Sequence, residues 1–220
     1  MREVDGCEMR KNLYIIGARG FGREVALELP TWNGFCDQYV IKGFLDDMDD
    51  ALDGFSGYPP IVSSVEDFVP SGNDIVVCGL GTVMWRRKYI DMLLTKGARF
   101  DTFISPESRV ARTAKIGQGV LVLENVSISA DVKVGDFVLF HPNSTLGHDV
   151  EIGNYTVIEN GVFCGGFVKV GERATIHTRA TILPHQKIGD NAVVGACSCV
   201  IRNVKPSATV FGNPAQRIDQ

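Results

Sequence analysis

Every sixth residue from Ile104 to Val200 is apolar, running through Val110, Ile116, Val122, Ile128, Val134, Phe140, Leu146 and on to Val194. Seventeen consecutive positions obey this step without insertion or deletion, which at 45% apolar composition chance produces about once in a million. An α-helix repeats near 3.6 residues and a flat strand every 2, so neither accommodates a strict six. The residue after the repeat position is often glycine, as at Gly117, Gly135, Gly147, Gly165 and Gly189, and the residue four after it is usually small or valine. That pattern fits a prism of short parallel strands. Each hexapeptide makes one side, three make a coil, the aliphatic residue points inward and glycine is expected to supply corner backbone angles that a bulky residue resists. With strands about 4.8 Å apart, five to six coils give a column on the order of 25 Å long.

Residues 11–103 lack the period. "LYII" (13–16), "VIKGFL" (40–45) and "DIVVC" (74–78) read as short buried strands separated by helical stretches, hence a small α/β domain with a Rossmann-like parallel sheet. "WRRKYIDMLLTKG" reads as a helix with Trp85, Tyr89, Met92, Leu93 and Lys96 near one face and a glycine stop at Gly97. Residues 1–10 read as a loose tail. The net charge of −4 argues against nucleic acid or a polybasic membrane contact, and no apolar run is long enough to span a bilayer. Six cysteines without a CxxC pair or a disulfide-like framework suggest reduced thiols and a cytoplasmic protein.

Two regions carry residues suited to chemistry. "GARGFGRE" (17–24) follows the first strand and opens a helix, where Gly17, Gly20 and Gly22 let the backbone approach a phosphate, or simply make a tight turn. Its spacing is not that of the dinucleotide fingerprint. Asp46 and Asp47 end the second strand and Gly81 lies in the turn after the third, the edge at which open α/β sheets bind ligands. In the repeats, His148 lies two after Leu146, on a corner, and Asp149 follows it. A carboxylate on one imidazole nitrogen fixes the tautomer so that the other can take a proton. Eighteen residues on, the same corner carries Gly165 and Gly166, whose N–H groups are unencumbered donors for an oxyanion. His141 and His177 share another column two coils apart, and no three ligands converge as a metal site requires.

The two-domain layout, "GARGFGRE", "FLDD", "GLG", "GHD" within the repeats and "VFGNPAQRI" at the end resemble the hexapeptide-repeat sugar O- and N-acyltransferases of the sialic-acid O-acetyltransferase type, especially those that acetylate a 4-amino group of a nucleotide-linked sugar. The resemblance spans residues 11–220. It implies a left-handed parallel β-helix over 104–205, a nucleotide-sugar-binding domain over 11–103 and a coenzyme-A-proximal segment over 206–220. It implies acetyl-CoA as co-substrate, no metal, and a homotrimer with active sites between neighbouring β-helices. His148 would be the general base, Asp149 its orienting acid, and Gly166, with Gly165 beside it, the donor to the acetyl carbonyl. Gly17, Arg19, Gly20, Gly22, Asp46, Asp47, Gly81 and His141 would lie on the substrate side. Gly212, Asn213, Pro214, Ala215 and Arg217 would lie beside coenzyme A. The chain departs from the pattern at Val157, where relatives often carry histidine, at His141, often asparagine, and at Arg19 and Phe21, where Ser and His are usual. Two other readings stay open: O-acetylation of a free sugar such as a sialic acid, and a non-catalytic ligand-binding β-helix.

Overall fold

The computed structural model describes residues 10–218, so all but Arg10 of the expected 1–10 tail lies outside the described residues. The chain divides into two compact units, one running to Leu80 and including Tyr89–Arg99, the other comprising Gly81–Lys88 and everything from Phe100 onward.

The first unit is a four-stranded parallel sheet. Its strands are β1 (Lys11–Ile16), β2 (Tyr39–Leu45), β3 (Ile61–Ser63) and β4 (Asp74–Cys78), in the order β3-β2-β1-β4. β4 is buried along its whole length, as an apolar run between covered faces should be. Three of the strands stand where the apolar runs predict them; β3 was not anticipated, because three residues show no period. Helices α1 (Gly20–Glu28) and α2 (Phe35–Gln38) connect β1 to β2, and α3 (Val83–Thr95) follows β4. α3 stops as expected, with Gly97 at φ +81° and the amides of Gly97 and Ala98 donating to Leu94 O and Leu93 O. Its buried stripe is different from the expected one. Arg86, Ile90 and Leu93 are buried, whereas Trp85 is exposed. A hydropathy reading discards an arginine, but the Arg86 guanidinium is enclosed and donates through Nη2 to Phe137 O at 3.0 Å.

The second unit is the predicted parallel β-helix, left-handed as in hexapeptide-repeat transferases, with three faces of stacked two-residue strands. The first face runs from Phe103–Ile104 to Thr209–Phe211, the second from Arg109–Val110 to Cys199–Val200, and the third from Lys115–Ile116 to Lys187–Ile188. Partners lie eighteen residues apart on every face, as in Leu139↔Val157, Thr145↔Phe163 and Lys133↔Glu151. The repeat residues and those four after them form one apolar core, with Ser144, Thr156 and Ser198 as its small polar members. The period slips only near the end, where Ile188 pairs with Val204 across sixteen residues.

The glycine expectation needs correction. The corner residue with left-handed backbone lies three after the repeat position. It is rarely glycine: Asn125, Asp131, Phe137, Asn143, Asp149, Tyr155, Phe167, Arg173, Arg179 and His185 all have φ between +56° and +66°. The glycines one after the repeat position have no positive φ; they are required by close approach. A Cβ on Gly171 would meet Asp190 N at 2.7 Å and Gly189 C at 2.9 Å, backbone of the next coil that cannot yield without parting the stack. Gly171→Ala is therefore expected to lower stability by about 1–3 kcal/mol. Cys197→Asn, at φ +56°, leaves the chemical-denaturation midpoint unchanged or higher.

Candidate active site

His148 stands on the turn between strands Thr145–Leu146 and Glu151–Ile152, with its side chain 60% exposed. Asp149, at φ +57°, is anchored through its amide to Ala130 O. That backbone places its carboxylate Oδ2 2.9 Å from His148 Nδ1. A carboxylate only accepts, so in the neutral ring Nδ1 carries the proton and donates, leaving the Nε2 lone pair free.

Gly166 lies one coil along the same corner. A Cβ there would come within 2.9 Å of both Cε1 and Nε2 of His148, so the absence of a side chain is what makes room for the ring. The Gly166 N–H donates to no acceptor among the described residues. The cause is visible by contrast with the next corner of the coil. There the equivalent amides of Gln118, Asp136 and Glu172 donate to Oδ1 of Asp136, Asn154 and Asp190, one coil on. Gly166 has Pro184 at that place, whose side chain offers no acceptor. Gly165 differs: its amide is used in the ladder, donating to Ile182 O at 2.9 Å, and a Cβ on it would strike Pro184 at 2.7 Å.

Stepping by coils from His148 through Gly166 and Pro184 leads to Arg202, three coils or about 14 Å along the axis. Arg202, Lys205 and Arg217 line a pocket of about 260 Å³ floored by Val200, Val204, Ala208, Val210 and Ala215. Of these cations only Arg217 was anticipated; Arg202 could have been found by continuing the eighteen-residue step. "GNPAQR" makes the turn and returning strand of a closing hairpin: Cys199 N donates to Gly212 O, Ala215 N donates to Cys199 O, Gly212 N donates to Ser198 Oγ, and the Asn213–Pro214 peptide is cis.

His141 is not at this corner. It and His148 flank the strand Thr145–Leu146 at opposite ends. His141 belongs to a column with Glu159 and His177, in which Glu159 Oε1 lies 3.0 Å from His177 Nδ1 and Oε2 accepts from the amide and hydroxyl of Thr178. Val157, buried, offers no hydrogen bond from its side chain.

In the first unit, Gly17 N donates to Leu45 O and Ala18 N to Asp46 Oδ2, which lashes the turn before α1 to the end of β2. A Cβ on Gly22 would lie 2.8 Å from Gly17 C, so close packing of helix on turn demands that glycine, whereas Gly20 faces open space. Arg19 caps α1 without a side-chain bond to the helix, its guanidinium donating to Met48 Sδ. Asp46 also accepts from Met48 N. Asp47 accepts from Val65 N and, at 2.6 Å, from the Tyr89 hydroxyl, whose pKa burial and then this bond push up to about 12. Asp46 thus braces the turn before α1, whereas Asp47 ties the end of β2 to Val65 and Tyr89. Gly81, open to space, falls in the other unit. Among the described residues no three His, Cys, Asp or Glu side chains are placed to hold a metal ion, and no helix is long and apolar enough to cross a membrane.

Residues 131–166 match the bacterial transferase hexapeptide family (six repeats), and residues 12–93 match the PglD N-terminal domain. The chain is an acyltransferase that carries a hexapeptide-repeat segment. Solved structures resemble the acyltransferase along nearly its full length. PerB from Caulobacter crescentus, in complex with CoA and GDP-perosamine, is 25% identical with a TM-score of 0.84, over 94% of this chain and 97% of that one. The acetyltransferase domain of PglB from Neisseria gonorrhoeae is 26% identical with a TM-score of 0.85, over 95% and 100%, and has also been solved with acetyl coenzyme A. WeeI from Acinetobacter baumannii is 28% identical with a TM-score of 0.79, over 94% and 99%. No curated protein matches the sequence of the acyltransferase.

Burial, with the nearby Arg86 cation, holds the His141 imidazole below its ordinary value of 6.5, against the opposing pull of Glu159 and Glu124. A depressed imidazole favours the folded state above the unfolded value and loses that contribution as pH falls below 6.5 towards the folded value. The melting temperature is expected to drop between pH 7.5 and 5.5, and His141→Asn to drop less over the same interval in differential scanning calorimetry.

Proposed function

We propose that the acyltransferase transfers an acetyl group from acetyl-CoA directly to an amino group of a nucleotide-linked sugar, with His148 as general base. The observation that carries this reading is the corner itself: an exposed imidazole with Nδ1 held by Asp149, lying over Gly166, whose N–H is open. As the amine attacks the thioester carbonyl, His148 Nε2 takes its proton and Asp149 stabilises the imidazolium. The Gly166 N–H receives the developing oxyanion. Collapse of the tetrahedral adduct breaks the C–S bond, expels the thiolate, which is then protonated, and leaves the amide.

The remaining sites follow the same axis. Arg202, Lys205 and Arg217 stand where the phosphates of coenzyme A would lie if its pantetheine arm ran down the corner from His148. Gly165 and the hairpin residues Gly212, Asn213, Pro214 and Ala215 flank that path. The turn of Gly17, Arg19, Gly20 and Gly22, braced by Asp46 beside Asp47, opens α1 with its N-terminus suited to a phosphate and is the proposed nucleotide side. Gly81 and His141, in the other unit, are assigned to the sugar substrate on the resemblance alone. Complexes of PerB with CoA and GDP-perosamine support this substrate class. We assign the active form as a cytoplasmic homotrimer. Phe163, Phe167, Leu183 and Ile201 are exposed apolar residues on the second face or its corner beside His148, a surface suited to cover by a neighbouring subunit.

Two measurements test this. His148→Ala or His148→Asn should lower kcat by about two to four powers of ten while the oligomer stays intact; undiminished thiol release would refute the base. Arg202→Ala is expected to raise the KM for acetyl-CoA about tenfold with kcat nearly unchanged. Both are read from thiol release with a panel of amino-sugar nucleotides and free sugars. Turnover of free sugars alone would transfer the assignment to an O-acetyltransferase.

A further inference from the structure

Phe167 occupies the left-handed corner position next to Gly166, at φ +62°. That backbone is costly for a bulky L-residue, and asparagine, aspartate or glycine would adopt it more readily. Phe137 has the same conformation at φ +58°, but it is only 3% exposed and packs against Phe100 and Tyr155. Burial offsets the backbone cost there. Phe167 is 44% exposed, so burial in the core does not explain it.

What Phe167 does touch is the proposed base. Its ring centroid lies 5.0 Å from that of His148, with the two planes at 89°, and its other contact is His185, stacked at 4.9 Å and 7°. His148 alone has little to hold it, since its ring is exposed and stands over a glycine. Asp149 fixes one nitrogen, which still lets the ring rock about the Nδ1–Oδ2 line. A perpendicular aromatic ring opposes that rocking, and the stack with His185 keeps Phe167 in place. We propose that Phe167 is a positioning residue for His148, buttressed by His185. The inference rests on the reading of His148 as general base.

The test uses the intact protein with Phe167→Leu, Phe167→Asn, Phe167→Tyr, His185→Asn and His148→Asn. Phe167→Leu and Phe167→Asn should each lower kcat about fivefold with both KM values within about twofold, whereas Phe167→Tyr keeps the parental rate. His185→Asn should give a smaller loss of the same kind. Phe167→Asn, relieved at the corner, should melt no lower than the parent. The inference is overturned if Phe167→Leu and Phe167→Asn leave kcat unchanged, if the loss is matched by a lower melting point, or if Phe167→Tyr fails to keep the rate. A separate readout is the His148 Cε1–H resonance, whose ring-current shift should be lost in Phe167→Leu. If His148→Asn retains full turnover, the base assignment falls. Whether Phe167 orders the ring is then decided by that resonance, an unchanged shift counting against it.

Discussion

The structure depends on one spacing: successive coils must stack backbone upon backbone with no slack. Each strand donates and accepts along the axis at eighteen-residue steps, so a residue's neighbours are fixed by arithmetic from its number. Glycines such as Gly153 and Gly171 exist because the next coil occupies the volume of their side chains. The same tightness produces the candidate site. Gly166 leaves the void into which the imidazole of His148 fits, and the missing acceptor at Pro184 leaves an amide open.

The solenoid was legible because its core signal is carried by many identical positions, and one period accounts for all of them. His148 and Asp149 were legible as a pair because adjacency in sequence is adjacency at a corner. What a period cannot express was misread. The corner glycines were assigned a backbone role that Asn125, Phe137, Arg173 and others actually fill, since sequence shows a glycine without showing whether torsion or crowding demands it. Arg86 was overlooked as a buried residue because nothing local signals it: Phe137 O, which accepts from its guanidinium, is fifty-one residues away. Arg202 lies on the unbroken eighteen-residue step and was not followed that far, whereas Lys205 escaped notice because the step breaks just before it, where Ile188 pairs with Val204.

The α/β unit was read from short apolar runs, and its strands stood where expected apart from β3. Asp46 and Asp47 were candidates for holding a ligand, yet each oxygen already accepts a bond from Ala18, Met48, Val65 or Tyr89. Asp46 shapes the turn before α1, and Asp47 ties the end of β2 to α3.

The left-handed corner positions have a wider consequence. Side chains there leave the prism altogether, so phenylalanine, tyrosine, arginine, histidine and cysteine all occupy the same backbone without altering the interior. A column of such positions behaves as a rack of interchangeable fittings on a fixed frame. Lineages built on this frame are free to exchange one chemistry for another at the rim while the folding instructions within stay untouched.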